Sequence, residues 1–173
     1  MAQGCAHPQA EGAPKPFTEQ FFLRELSTEN ERTIVAVREI INIDVACAII
    51  EKDGLVLAAQ RSETMSLPLK WEFPGGKLEP DESPDACLKR ELSEELGIQV
   101  TIQSALPSSN WQYPTFAITL HPFVCSMHGD TIRLTEHKAI RWVEPKDLPA
   151  LDWAAADAPV LRNYFNYRTA RQI

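Results

Sequence analysis

Glu82, Glu91, Glu94 and Glu95 are the residues whose type and spacing bear most directly on chemistry. Glu94 and Glu95 follow Glu91 by three and four positions, so on a helix the three carboxylates share one face. Stacked like charges destabilise an isolated helix, and a divalent cation is the simplest compensation. Mg²⁺ takes hard oxygen ligands of this kind, with Mn²⁺ as a substitute. Such an ion also bridges carboxylates to phosphate oxygens and cancels the repulsion between an acidic site and an anionic ligand. Gly75-Gly76 lies just upstream. With no Cβ in the way, the backbone there approaches a metal or phosphate closely. Taken alone, the Glu-Glu or Gly-Gly pair reads rather as a solvated acidic face after a glycine turn; the whole spacing is what shifts the reading.

The positioning elements are legible around this cluster. Ser83 as N-cap, Pro84 in the first turn and Gly97 at the stop predict a helix whose buried stripe is Leu88, Leu92 and Leu96. Upstream, residues 44–51 read as a buried strand, and residues 55–61 pair back across a turn at Lys52-Asp53-Gly54. Residues 71–73 form a short extended piece that Pro74-Gly75-Gly76 is expected to stop. Further strands are expected at 98–105, 115–125 and 138–143, and a terminal helix at 156–169 through Val160, Leu161, Tyr164 and Phe165. This order predicts an α/β chain with a mixed sheet between helices. Residues 1–16, rich in Ala, Gln, Gly and Pro, read as a disordered tail. Residues 17–42 read as an N-terminal extension of uncertain structure, and residues 43–173 as the one folded domain.

The bulk properties narrow the partners. A chain of 173 residues is one domain's length. A net charge of −7 argues against a nucleic-acid polymer, which needs a basic face, but leaves a small nucleotide open. Cys5, Cys47, Cys87 and Cys125 are far apart with no CxxC pair, which predicts reduced, mostly buried thiols in a cytoplasmic protein. No apolar run approaches the ~20 residues that span a bilayer, so no membrane association is expected. His7, His121, His128 and His137 show no metal or triad spacing and read as structural or solvated. A monomer or a homodimer is expected.

Residues 76–98, GKLEPDESPDACLKRELSEELGI, resemble the signature of the Nudix hydrolases at every specified position. Those positions are Gly76, Glu82, Arg90-Glu91, Leu92, Ser93, Glu94-Glu95, Leu96, Gly97 and Ile98. The resemblance implies the Nudix α/β/α sandwich with a central mixed β-sheet, and Mg²⁺-assisted attack of water on a phosphoanhydride. It also implies metal ligands at Glu91, Glu94, Glu95 and the Gly75 carbonyl. By the same resemblance Glu91 is a candidate for orienting or deprotonating water, Arg90 holds the glutamates, and Glu82 helps organise the site.

Residues 71–83, WEFPGGKLEPDES, look like the MutT branch and the related bacterial CTP pyrophosphohydrolases, which convert nucleoside triphosphates to monophosphate and pyrophosphate. That likeness implies phosphate contacts from Arg61 and Lys77, a base pocket lined by Phe73, and a metal- or water-contacting Glu136. Asp157 falls where MutT-like enzymes often carry an asparagine that reads oxidised guanine; Ala-Asp before a proline is closer to the CTP type. Cleansing of 8-oxo-dGTP is the primary expectation, with hydrolysis of CTP, dCTP or 5-methyl-dCTP as a near-equal alternative. Tyr113-Pro114 raises an ADP-ribose-type pyrophosphatase as another alternative. A non-catalytic nucleotide-binding Nudix domain is a further one, although no box glutamate is missing. Trp111 and Tyr113 read as base-stacking or core aromatics.

Overall fold

Residues 45–50, VACAII, run without a polar break, the pattern of a strand covered on both faces. In the computed structural model, which describes residues 40–171, they form the middle of β1 (Ile41–Lys52). The expectations for residues 1–16 and 17–39, Cys5 and His7 lie outside the described residues. Ile41 and Asn42 are strand rather than extension, because β1 is parallel to β7 (Phe116–His128) from Ile41↔Phe116 through Glu51↔Ser126. Beyond β7 lies β5 (Gln99–Ala105), and β6 (Ser109–Gln112) also pairs β7, both antiparallel.

On its other edge β1 turns through Asp53 (φ 52°) and Gly54 (φ 80°) into β2 (Leu55–Gln60). Positive φ at both central residues is the hairpin geometry whose twist matches the strands. The hairpin then parts. Only Glu51↔Val56 and Lys52↔Leu55 are paired, and the wedge that opens is filled by a later segment. β3 (Trp71–Glu72) pairs with β2, the Ala48 N–H donates to the Pro74 carbonyl at 2.8 Å, and β4 (Gly75–Lys77) pairs with β1. The expected stop at residues 74–76 is therefore a change of partner: the chain leaves β2 and joins β1. β8 (Ala139–Val143) covers the far edge of β2.

Alternate residues of β1 feed two cores. Cys47 and Ile49 pack with Phe73, Leu148, Val160, Leu161 and Tyr164, the last three from α2 (Asp157–Ala170). Ala46, Ala48 and Ile50 pack with Cys87, Leu88, Leu92 and Leu96 of α1 (Pro84–Leu96), and with Cys125. A helix on each face of a mixed sheet is the α/β/α sandwich expected. α1 ends at Gly97, whose φ of 63° and N–H to the Ser93 carbonyl close the last turn. Cys47, Cys87 and Cys125 are free and buried. β6 and the 3₁₀ segment Pro145–Ala150 were not expected. Ser-Asn-Trp-Gln has no apolar alternation, and its strand exists only because β7 is long enough to pair it.

Leu92 is fully buried beneath α1. Leu92→Ala is expected to destabilise the fold by about 3 kcal/mol, read as a lowered urea midpoint at unchanged slope.

Candidate active site

The change of partner at residues 74–76 sets the site. At Gly75 φ is 150°, and a Cβ there would overlap the Ala46 carbonyl of β1. At Gly76 a Cβ would fall within the carboxylate of Glu91, which lies directly on the bare backbone. The two glycines thus bring β4 against β1 and bring α1 against β4.

Arg90 is the hub of the acidic cluster. Its Nε and NH2 donate to the two oxygens of Glu82 at 2.9 and 2.8 Å. NH1 donates to Glu91 Oε1 at 2.9 Å and to Glu94 Oε2 at 3.4 Å, and NH2 also reaches the Lys77 carbonyl at 3.2 Å. The fork draws Glu82 to about 2, well below the ordinary carboxylate range, mainly through these hydrogen bonds.

Glu91 and Glu95 move the other way. Burial raises Glu91, the charges of Glu94 and Glu136 add to it, and Arg90 opposes it. Burial pushes Glu95 up to about 8, with Glu91, Glu136 and Glu72 adding and His137 opposing. Glu95 is 7% exposed and its Oε2 is buried without a hydrogen-bond partner. Among the described residues no three ligating side chains already converge on one point; Glu91 and Glu94 are turned to Arg90. The donor set nonetheless fits a hard divalent cation. It is all oxygen, it includes an orphaned buried carboxylate atom, and it lies beside a backbone with no side chain.

Glu136 and His137 enter from the segment between β7 and β8. That segment caps the last turn of α1: Arg133 N–H donates to the Leu96 carbonyl at 2.8 Å, Thr135 N–H to that of Glu95 at 3.1 Å, and Thr135 Oγ1 to those of Glu94 and Glu95. Glu136 is exposed, with its charge bearing on Glu91 and Glu95. His137 is buried, so the solvated reading fails for it. Its Nε2 lies 3.0 Å from Glu72 Oε1. Glu72 Oε2 accepts from Arg61 NH1, and Arg61 also donates to the Ser66 carbonyl and hydroxyl. Arg61 is therefore already engaged on three nitrogens. Glu72 was not singled out in advance, and His137 was read only as structural or solvated. The only signal was their adjacency to assigned residues, Phe73 and Glu136.

On the opposite face Asp157, 5% exposed, accepts the Phe73 N–H through Oδ1 at 3.0 Å. Burial pushes its carboxyl up to about 8. The Phe73 ring is in the core, 4.6 Å from that of Trp153. Tyr113 stacks on Phe116 at 4.8 Å and packs on the same core, which gives Tyr113 a packing role, while Pro114 is exposed. Trp111 is 36% exposed, and Lys77 is exposed at the end of β4. The structure thus gathers Glu82, Glu91 and Glu94 on Arg90, with Glu91 against Gly76 and Glu95 buried on the same helix. Arg61, Phe73 and Asp157 lie along the β3 side of the wedge.

A parted mixed-sheet hairpin with a glutamate-bearing helix against a glycine strand defines a class, and the NUDIX domain model matches residues 41–164. The chain belongs to the Nudix family. It is similar to the CTP pyrophosphohydrolase of Escherichia coli, 42% identical over 130 residues, covering 75% of this chain and 96% of that protein. It is also similar to the 8-oxo-dGTP diphosphatase of Proteus vulgaris, 43% identical over 93 residues, covering 54% of this chain and 81% of that one. The solution structure of the E. coli ORF135 protein superposes with a TM-score of 0.68 at 40% identity, covering 76% of this chain and 94% of that one. Among the described residues no helix is long and apolar enough to cross a membrane.

Asp157 gives a pH prediction. Its folded carboxyl titrates at about 8 against an ordinary 3.8, so between those values the native state holds a proton that the unfolded chain has lost. That contribution to stability is complete below 3.8 and falls away as pH rises towards about 8. The amide introduced by Asp157→Asn keeps an oxygen for the Phe73 N–H and does not titrate. Urea midpoints at about pH 5 and about pH 9 are expected to fall less in that variant than in the parent.

Proposed function

We propose that this protein is a Mg²⁺-dependent nucleoside triphosphate pyrophosphohydrolase that acts on cytidine nucleotides, releasing the monophosphate and pyrophosphate. The observation that carries this reading is the acidic helix face held by Arg90 on the bare backbone of Gly76. Glu91, Glu94, Glu95 and the Gly75 carbonyl would hold the ion. When bound, Mg²⁺ lowers the pKa of water and neutralises charge on phosphoryl oxygens.

The chain's own residues do the rest. Glu91, raised by burial, accepts the proton of a water whose oxygen bonds to phosphorus as the α–β phosphoanhydride breaks. Arg90 holds Glu91 against Gly76 and keeps Glu82 ionised. Glu136, exposed and with its charge bearing on Glu91 and Glu95, would contact the ion or its water. Arg61 and Lys77 contact the polyphosphate from the wedge.

Two considerations favour cytosine. The E. coli CTP pyrophosphohydrolase aligns over nearly its whole length. Burial pushes the Asp157 carboxyl up to about 8, which favours its protonated form; with Oδ1 taking the Phe73 N–H, the remaining Oδ2 hydroxyl is a donor that complements N3 of cytosine. The primary expectation, cleansing of 8-oxo-dGTP, becomes the second reading. It is supported by the Proteus vulgaris relative, whose match is shorter.

The test is pyrophosphate release with Mg²⁺ across CTP, dCTP, 5-methyl-dCTP, 8-oxo-dGTP and ADP-ribose. Highest kcat/KM on a cytidine nucleotide is expected, and preference for 8-oxo-dGTP or ADP-ribose would overturn the base assignment. Glu91→Gln is expected to lower kcat by about 10²–10⁴-fold with the fold intact by circular dichroism. Unchanged turnover in that variant would remove Glu91 from the chemistry.

A further inference from the structure

Two buried side-chain atoms among the described residues lack any hydrogen-bond partner, Glu95 Oε2 and His137 Nδ1. Each faces the other's charge. An orphaned buried polar group costs about 1–3 kcal/mol, so a ring kept there for packing alone would be better replaced by an apolar one. The His137 side chain is 1% exposed, and its other nitrogen is committed to Glu72.

From Glu72 a chain of contacts runs outward. Its second oxygen takes Arg61, and Arg61 fastens Ser66 by carbonyl and hydroxyl. Arg61 and Gln60 close the base of the same loop: the Leu69 N–H donates to the Arg61 carbonyl, the Arg61 N–H to the Lys70 carbonyl, and Gln60 Nε2 to the Leu69 carbonyl. Within residues 62–69 both Leu67 (φ 52°) and Leu69 (φ 64°) are left-handed, a conformation leucine holds only when its surroundings enforce it. Both are 41% exposed, and the backbone around them is fixed by the Arg61 and Gln60 bonds to Ser66 and Leu69 and by the Lys70 N–H on the Leu67 carbonyl.

In the other direction His137 is fixed by the α1 cap at Arg133 and Thr135, and by the Lys138 N–H on the Gln60 carbonyl at 2.9 Å. One imidazole thus stands between the end of the helix bearing Glu94 and Glu95 and the loop beside the wedge.

We propose that His137 is a positioning residue. Its ring holds Glu72, and through Glu72 it sets Arg61 and the 62–69 loop in register with the acidic helix. The functional consequence rests on the pyrophosphohydrolase reading, since it takes Arg61 and its loop to bind the nucleotide. The structural coupling does not.

The experiment uses the full chain, with His137→Leu against His137→Gln, whose amide nitrogen takes the place of Nε2. Hydrogen exchange is read over residues 62–70, and KM and kcat on CTP with Mg²⁺. In the leucine variant exchange in 62–70 is expected to accelerate while α1 keeps its protection. KM is expected to rise by at least about tenfold with kcat within about threefold, and glutamine to restore both. Unchanged exchange in 62–70, a loss confined to kcat, or a glutamine variant as impaired as leucine would overturn the proposal. If the parent does not hydrolyse CTP, the functional reading fails, and the exchange data alone decide the role of His137. If the leucine variant does not fold, Glu72→Gln decides it: faster exchange in 62–70 supports the relay, and parental exchange sinks it.

Discussion

The carboxylate of Glu91 rests where any side chain on residue 76 would have to be. The remainder of the molecule is arranged to make that approach possible. β1 and β2 separate after two residue pairs, β3 and β4 occupy the gap, and Gly75 and Gly76 bring the strand in close enough for α1 to lie on it. Arg90 then ties the helix to the turn before it through Glu82 and to β4 through the Lys77 carbonyl. Charge that would otherwise push α1 apart is gathered on one guanidinium.

The two faces of the wedge behave differently. On the α1 side, groups are polar, crowded and tied to Arg90, and burial sends Glu91 and Glu95 upward while hydrogen bonding sends Glu82 downward. On the α2 side a single carboxyl, Asp157, sits against a backbone amide and aromatic rings.

The elements were legible where local pattern and packing agree. Ser83, Pro84, Gly97 and the Leu88-Leu92-Leu96 stripe fixed α1 closely, and the unbroken apolar run at 45–50 marked the central strand. The parting of the hairpin was not legible. Pro74-Gly75-Gly76 has the composition of a stop, and only the Ala48 and Ala46 partners across the gap show that the chain continues as strand. The acidic cluster could be read because its spacing is local to one helix. His137 and Glu72 could not, because they are 65 residues apart in the chain and neither carries a spacing signal. The bonds by which Arg61 clasps its own loop were not legible either, because they depend on how residues 62–70 fold back on it.

Among the described residues the thiols are distributed between the layers: Cys47 belongs to the α2 core, Cys87 and Cys125 to the α1 core. Burial raises all three, Cys87 to about 11 and Cys125 to about 12, so the reactive thiolate is scarce while the layers stay shut. Each helix layer therefore carries its own chemical clock. The rate at which an alkylating reagent consumes Cys47, against the rate for Cys87, times the detachment of one layer separately from the other, without any engineered probe.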